Sequence, residues 1–256
     1  MPSAGATHLQ QPATCPKAGN GSPSFPESRP HQTGSQKKGL IWKRTRHSYK
    51  KKQYPQQRQI KLADLEMLEL AAAVGEIELK YLDESGFCMW NPVSYTYFPR
   101  GQQKCLEQTQ RRGRRLSILG LIQPLISFVY GLVIGAFTSD SYLKLMEFVA
   151  QTAYEHLVTT GCITVVVQDN GPIHTSSKLQ QRWSDWEKKG LYIFFLPKYC
   201  SEMNRIELEW HQLKTHELAR QMFEDELDLA YAVIDGIEAR GQSGGYTTER
   251  FRFNSG

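Results

Sequence analysis

The pattern of apolar and polar positions predicts a mixed α/β fold. Short apolar runs rich in Ile, Val and Phe are typical of strands, whereas longer stretches with apolar residues three and four positions apart are typical of helices. The fully apolar run at 163–167 predicts a central strand that is covered on both faces. The predicted strands lie at 76–82, 94–98, 116–122, 126–134, 163–167 and 191–196, and the predicted helices at 63–74, 139–157, 176–188, 204–222 and 225–238.

The order of these elements predicts how the strands pair. Strands come first, and helices then alternate with strands, which indicates antiparallel pairing at the start of the sheet and parallel pairing after it. Ser139 is a plausible N-cap for the helix at 139–157. Residues 241–256 contain little apolar pattern and are predicted to form a loose C-terminal tail.

One apolar segment, 116–137, has no charged residue over 22 positions, which is long enough to cross a bilayer. A Gln-Pro pair lies near its centre and glycines interrupt the rest, so each apolar piece has the length of a strand. We therefore interpret the segment as two buried strands and expect no membrane association, with a membrane helix as the alternative. The alternative draws on the four arginines that precede the segment, Arg111, Arg112, Arg114 and Arg115.

Charge is distributed unevenly in this chain, whose net charge is +5. Residues 1–62 contain 12 Lys and Arg and one acid, and the remainder has a net charge of −6. Residues 1–39, rich in Pro, Gly, Ser and Gln, are predicted to be a disordered tail, and residues 40–75 a basic linker and helix. The linker is either an arm on DNA phosphates or a solvated connection. The candidate DNA-binding residues are Lys43, Arg44, Arg46, Lys50, Lys51 and Lys52.

Three acids lie where an α/β sheet commonly forms a site. Asp83 ends the strand at 76–82, Asp169 ends the strand at 163–167, and Glu207 lies in the first turns of the helix at 204–222. Carboxylates gathered at one edge of a sheet repel one another, and a cation relieves that repulsion. Hard oxygen ligands suit Mg²⁺ or Mn²⁺, and two such ions can promote hydrolysis of a phosphodiester. The alternative for Asp169 is a turn residue that ends the strand, or a helix cap.

Neighbouring residues refine this hypothesis. The Asn170-Gly171-Pro172 turn directs Asp169 away from a continuing strand, and His174 is placed to contact the carboxylates or DNA. Glu209 lies about 200° around the helix from Glu207, so both cannot face the same ions. The other competing acids are Glu202 and Glu84.

The three acids lie in the motifs YLDESGF, QDNGPIHTS and LPKYCSEMNRIELEW. Their order and their spacing over residues 76–253 resemble the transposase catalytic domain of mariner-like elements and bacterial insertion sequences. The resemblance implies an RNase H-like mixed sheet flanked by helices over residues 76–240, with a DDE triad formed by Asp83, Asp169 and Glu207. It also implies supporting roles for Asn170 and His174, and for Trp210, which we expect to pack the helix on the sheet.

The resemblance further implies metal-dependent DNA strand cleavage and strand transfer, using two Mg²⁺ or Mn²⁺ ions. The implied partners are the double-stranded DNA of transposon ends and target, with a homodimer on DNA, in the bacterial cytoplasm at the nucleoid. Arg205 replaces a family proline, and only GLIWKRTRHSYKK resembles the end of the family's helix-turn-helix region. The alternatives are a truncated, inactive DNA-binding remnant and a nuclease acting on structured RNA or in replication.

Overall fold

The computed structural model describes residues 52–90, 99–100, 102, 105, 109–219 and 221–253. Within them, six strands form one mixed sheet in the order β5-β4-β1-β2-β3-β6. The strands are β1 (Ile77–Phe87), β2 (Leu116–Gln123), β3 (Ser127–Ile134), β4 (Ile163–Gln168), β5 (Leu191–Phe195) and β6 (Thr247–Phe251).

The sheet changes from antiparallel to parallel pairing at β1. Strand β2 pairs antiparallel with both β1 and β3. Strand β4 pairs parallel with β1 and β5, and β6 pairs parallel with β3. The predicted change of direction is therefore confirmed. Strand β4 lies inside the sheet, between β5 and β1, but next to the edge and not at the centre.

Helices cover both faces of the sheet and create two apolar cores. The first face packs against α1 (Pro55–Ala73), α4 (Ile206–Gln212) and α5 (Glu226–Gly244). The second packs against α2 (Ser139–Thr160) and α3 (Ser177–Lys188). Residues alternate between these cores along β1, where Tyr81 faces the first and Leu82 the second.

The charge-free segment 116–137 forms strands β2 and β3, which pair along their whole length and are joined by a tight turn. The interpretation as two strands is confirmed. Strand β2 is buried at nearly every position, whereas β3 is only partly buried and its last residue is exposed. In the part of the chain that the structure describes, no helix is long and apolar enough to cross a membrane.

Several predicted boundaries were wrong. Helix α1 begins at Pro55 and not at residue 63, since proline at the first helical position has the φ angle of a helix already. Thr138, not Ser139, caps α2 through its side chain. The predicted helix at 204–222 is divided into α4 and a π-helical turn, Leu213–Glu217.

The C-terminal tail predicted at 241–256 is also corrected. Helix α5 continues to Gly244, and β6 adds to the edge of the sheet beside β3. Phe253 then packs edge-on against Phe137 with ring centroids 5.4 Å apart. Backbone pairing and these ring contacts hold a segment whose own sequence has little apolar pattern.

Some predictions lie outside the described residues. They include the tail at 1–39, the strand at 94–98, and the candidate DNA contacts from Lys43 to Lys51. Lys52 is described and is exposed, with its Nζ atom 5.5 Å from the centre of the Tyr199 ring. The domain boundaries at residues 39 and 75 stay predictions.

Candidate active site

Asp83 lies within β1, on the face that packs against α4. The sequence predicted that a strand would end just before this residue, which was wrong. Strand β1 continues to Phe87 because the backbone from Asp83 to Phe87 pairs with β2, where Gly120 is opposite Asp83. The carboxylate therefore projects from a fixed backbone and not from a flexible loop.

Asp169 directly follows β4, and the parallel register places it beside Asp83. Tyr81 pairs with Val167, so two residues further along each strand Asp83 and Asp169 are level and on the same face. Glu207 lies in the first turn of α4, which packs on that face. The topology thus brings the three predicted acids to one side of the sheet.

The electrostatics of Asp83 reflect both its burial and the charges of the other two acids. Burial raises the pKa of Asp83 to about 7, and the charges of Glu207 and then Asp169 add to this effect. An ordinary aspartate has a pKa near 3.9. The site therefore concentrates negative charge that the surrounding protein only partly offsets.

Trp210 packs α4 on the sheet and also binds Asp83. Its side chain is 2% exposed, and its ring centre lies 5.7 Å from that of Phe128. Its Nε1 atom donates a hydrogen bond of 3.0 Å to Asp83 Oδ2. Gly120 makes room for the indole, since a Cβ atom there would lie 2.6 Å from Trp210 Cη2. The expected packing role is present, and the hydrogen bond adds a positioning role that the sequence did not reveal.

His174 contacts the carboxylate of Asp169, one of the two roles expected from the sequence. Its Nδ1 atom lies 2.7 Å from Asp169 Oδ1, and its buried ring is tilted against that of Tyr142 with the ring centres 4.8 Å apart. The Tyr142 hydroxyl donates a hydrogen bond to Gln168, which precedes Asp169. The His174 hydrogen bond lowers the pKa of Asp169, and the amide of Gly171 contributes to this shift. Asp169 is therefore held in its ionised form.

Asn204 and Arg205 fix the start of α4, a function not foreseen from the sequence. Asn204 Nδ2 donates a buried hydrogen bond of 2.9 Å to the backbone oxygen of Leu82, the residue before Asp83. Arg205 replaces the family's proline and donates to Glu69 of α1 at 2.8 Å. A further hydrogen bond to Glu69, from Tyr81 at 2.6 Å, ties both helices to β1.

The competing acids are engaged in ion pairs elsewhere. Glu209 turns toward α5, Glu202 toward the start of α1, and Glu84 toward the opposite face of β1 from Asp83. Their partners are Arg240 at 2.6 Å, Arg58 at 3.3 Å and Arg115 at 3.8 Å, respectively. This geometry favours Glu207 as the third member of the site.

Lys214 brings a cation to the site from the π-helical turn, Leu213–Glu217. Its Nζ atom donates a hydrogen bond of 2.7 Å to Ser85, two residues beyond Asp83 on the same face of β1. Partial desolvation lowers the pKa of Lys214, and the negative charges of Glu207 and Asp83 oppose this effect. The spacing of seven residues from Glu207 was a usable signal, since it places both side chains on one face of a helix.

The donor chemistry of the site fits a hard divalent cation. In residues 52–90 and the other described segments, no group of three His, Cys, Asp or Glu side chains is already arranged to hold a metal ion. Asp83, Asp169 and Glu207 nevertheless supply carboxylate oxygens, the ligands that Mg²⁺ and Mn²⁺ prefer. A cation among them would offset both causes that raise the pKa of Asp83, which are its burial and then the charges of Glu207 and Asp169.

Comparison with solved structures supports the RNase H-like fold predicted from the sequence. A Mos1 mariner paired-end complex with Mn has a TM-score of 0.58 and 14% identity, covering 83% of this chain and 67% of that one. A Mos1 paired-end complex with the left transposon end has a TM-score of 0.54 and 14% identity, covering 82% and 66%. The Mos1 catalytic domain with Raltegravir and Mg has a TM-score of 0.50 and 12% identity, covering 72% and 83%.

This chain thus spans slightly less than two-thirds of the Mos1 chain bound to the left transposon end. A comparison with curated proteins found no match. Residues 78–230, more than half of the chain, match the sequence profile of the DDE superfamily endonuclease family. The chain therefore belongs to the DDE superfamily endonuclease family.

Proposed function

We propose that this chain is the catalytic part of a DNA transposase, which cleaves DNA strands and transfers their ends to a target. The main support for this proposal is that Asp83, Asp169 and Glu207 lie on one face of the sheet, where the charges of Glu207 and Asp169 act on Asp83. Family membership supports it, as does the fold shared with Mos1 complexes that contain a transposon end or Mn.

Asp83, Asp169 and Glu207 are the residues that would hold the metal, with two Mg²⁺ or Mn²⁺ ions expected. Divalent ions held there would supply the activation of a water or a 3′-hydroxyl as the nucleophile and the stabilisation of the leaving oxygen of a phosphodiester. Asp83, with a pKa of about 7, must lose its proton before both of its oxygens can act as ligands.

The neighbouring residues position these ligands. The Trp210 N–H group holds Asp83 Oδ2, and His174 holds Asp169 Oδ1. Each of these two aspartates therefore has one oxygen fixed in position. His174 also keeps Asp169 ionised. Lys214 presents its ammonium group beside Ser85, where it can contact a phosphate oxygen of the substrate strand.

The proposed substrate is double-stranded DNA at transposon ends and at the target. Contacts to its phosphates are assigned to the basic segment from Lys43 to Lys52. Because strand transfer joins two ends, a homodimer on DNA is part of the proposal. A location at the bacterial nucleoid would follow from a chromosomal substrate.

A DNA-nicking assay tests this function. The chain should convert supercoiled plasmid to open circles with Mg²⁺ or Mn²⁺, and Asp169→Asn should reduce the rate at least about 100-fold. Asp185→Asn on α3 is the matched control, because Asp185 is a surface acid that pairs only with neighbours on its own helix in the described contacts. Equal nicking by the wild type and Asp169→Asn would refute the assignment.

The second candidate is a DNA-binding protein without catalytic activity. It needs only the basic segment from Lys43 to Lys52, which can contact DNA phosphates without any metal. It predicts DNA binding that weakens steeply with salt and no nicking with any divalent metal. The same assay separates the two functions.

A further inference from the structure

A groove lies between α1 and the edge of the sheet formed by β5. Its volume is about 720 Å³, and its walls come from the first half of α1 and from β5 with the loop that follows it. Asn170, the residue after Asp169, lines one end. The groove therefore ends at the residue that directly follows Asp169 in the chain.

The lining of the groove combines apolar and aromatic surface with positive charge. Ile60 contributes from α1 and Tyr54 from the position just before that helix, with exposed fractions of 62% and 67%. Phe194 lies across from them, and the ammonium group of Lys61 is 4.3 Å from its ring centre. Lys198 adds a second cation, and no carboxylate residue lines the groove.

We propose that this groove binds an unpaired stretch of the DNA strand that leads into the active site. The bases would stack on Tyr54 and cover the apolar wall, while Lys61 and Lys198 would face the phosphates. Stacking on exposed aromatic side chains beside cations is the physical basis of single-strand binding. The inference rests on the proposed function, because it assumes a DNA substrate at Asp169.

A single strand fits the groove better than duplex or peptide does. A base can stack on Tyr54 only where its partner strand is absent, and the two lysines complement a polyanion. Strand β5 is an edge of the sheet, so an extended peptide could also pair with it. The cationic lining without acids favours DNA over a peptide of ordinary composition.

Fluorescence anisotropy with two DNA probes tests the proposal. One probe is a blunt duplex and the other is the same duplex with a short single-stranded extension, tested with the extension at either end. The full chain is measured in EDTA, so that no cleavage is needed. We expect the wild type to bind an extended probe more tightly than the blunt one.

The Tyr54→Ala variant should lower the affinity for the extended probe by about fivefold to a hundredfold. Its affinity for the blunt duplex should change less than about twofold. Tyr54 forms no side-chain cap hydrogen bond with α1, so its removal leaves the helix start intact. Tyr54→Phe should bind as the wild type does, because the ring remains. Tyr231→Ala is the matched control, since that tyrosine is 58% exposed but lies on α5.

Three results would overturn the groove assignment. They are equal affinity of the wild type for both probes, an equal loss on both probes in Tyr54→Ala, and full competition by an uncharged extended peptide. Failure of the proposed catalytic function would look different, since nicking would be absent while the preference for extended DNA persisted.

Discussion

The Asp83→Asn variant should be more stable than the wild type at pH 8 in the absence of metal. The folded protein raises the pKa of Asp83 to about 7, so it binds this proton more tightly than the unfolded chain does. The free energy of unfolding therefore falls as pH rises from about 4 to about 7. Asparagine mimics the protonated acid and can still accept the Trp210 hydrogen bond, so the variant lacks this loss.

The size of the effect follows from the pKa difference. A tenfold change in a protonation equilibrium corresponds to about 1.4 kcal/mol. Between pH 5 and pH 8, ionisation of Asp83 can therefore cost the folded wild type at most about 3 kcal/mol. Water that enters the open side of the site reduces this cost, and we expect about 1–2 kcal/mol.

Urea denaturation at pH 5 and pH 8 in EDTA measures this difference. The stability advantage of Asp83→Asn over the wild type should grow by about 1–2 kcal/mol between the two pH values. Mn²⁺ at pH 8 should stabilise the wild type and have much less effect on the variant. An advantage that does not depend on pH would contradict the raised pKa of Asp83.

The Asp169→Asn substitution should change stability in the direction opposite to that of Asp83→Asn. Hydrogen bonding to His174 lowers the pKa of Asp169, so its contribution to stability is present at neutral pH and is lost as pH falls below about 4. The side chain is 53% exposed, which limits its contribution to about 1 kcal/mol. Asp169→Asn should therefore destabilise the protein at pH 8. If both variants stabilised it equally, the proposed difference between the two aspartates would be wrong.

Three further substitutions test the residues around the carboxylates. Trp210→Phe keeps a ring near Phe128 but removes the hydrogen bond to Asp83, so the free energy of unfolding in urea should fall by about 1–3 kcal/mol. An unchanged free energy of unfolding would refute the positioning role. Gly120→Ala should lower the same free energy by about 1–3 kcal/mol, because its methyl group would displace the Trp210 indole. Unchanged stability would show that the indole does not need the space left by Gly120. Lys214→Met keeps the apolar stem of the side chain, and should lower the nicking rate by about 10- to 100-fold with little change in Tm. A wild-type rate would mean that the Lys214 ammonium group does not contact the substrate.

The strands near the centre of the sheet could be predicted because their sequences are nearly free of competing signals. Val165, Val166 and Val167 are β-branched and buried on both faces, so burial and intrinsic preference agree. The segment 116–137 was also assigned correctly. Its central Gln-Pro pair indicated the turn between β2 and β3.

The ends of elements were harder to predict because distant partners determine them. Strand β1 extends through polar residues to Phe87 only because β2 supplies hydrogen bonds to its backbone. Strand β6 is short and mostly polar, and its pairing with β3 depends on a residue separation of about 120 positions. The local sequence pattern of β1 or β6 does not indicate which strand it pairs with.

The three acids of the site could be selected from their motifs, but the contacts that hold them could not. The Trp210 indole reaches Asp83 because Gly120, on a third element, leaves room for it. Lys214 reaches Ser85 from a π-helical turn that the helical pattern did not predict. Such contacts depend on the packing of α4 on the sheet and not on sequence spacing alone.

A crystal structure of the full chain soaked in Mn²⁺ would examine the shared-cation site most directly. Anomalous scattering should reveal manganese bound by oxygens of Asp83, Asp169 and Glu207, and the peaks should vanish in Asp169→Asn. Manganese found only at other surfaces at saturating concentration, with these carboxylates unliganded, would contradict the account.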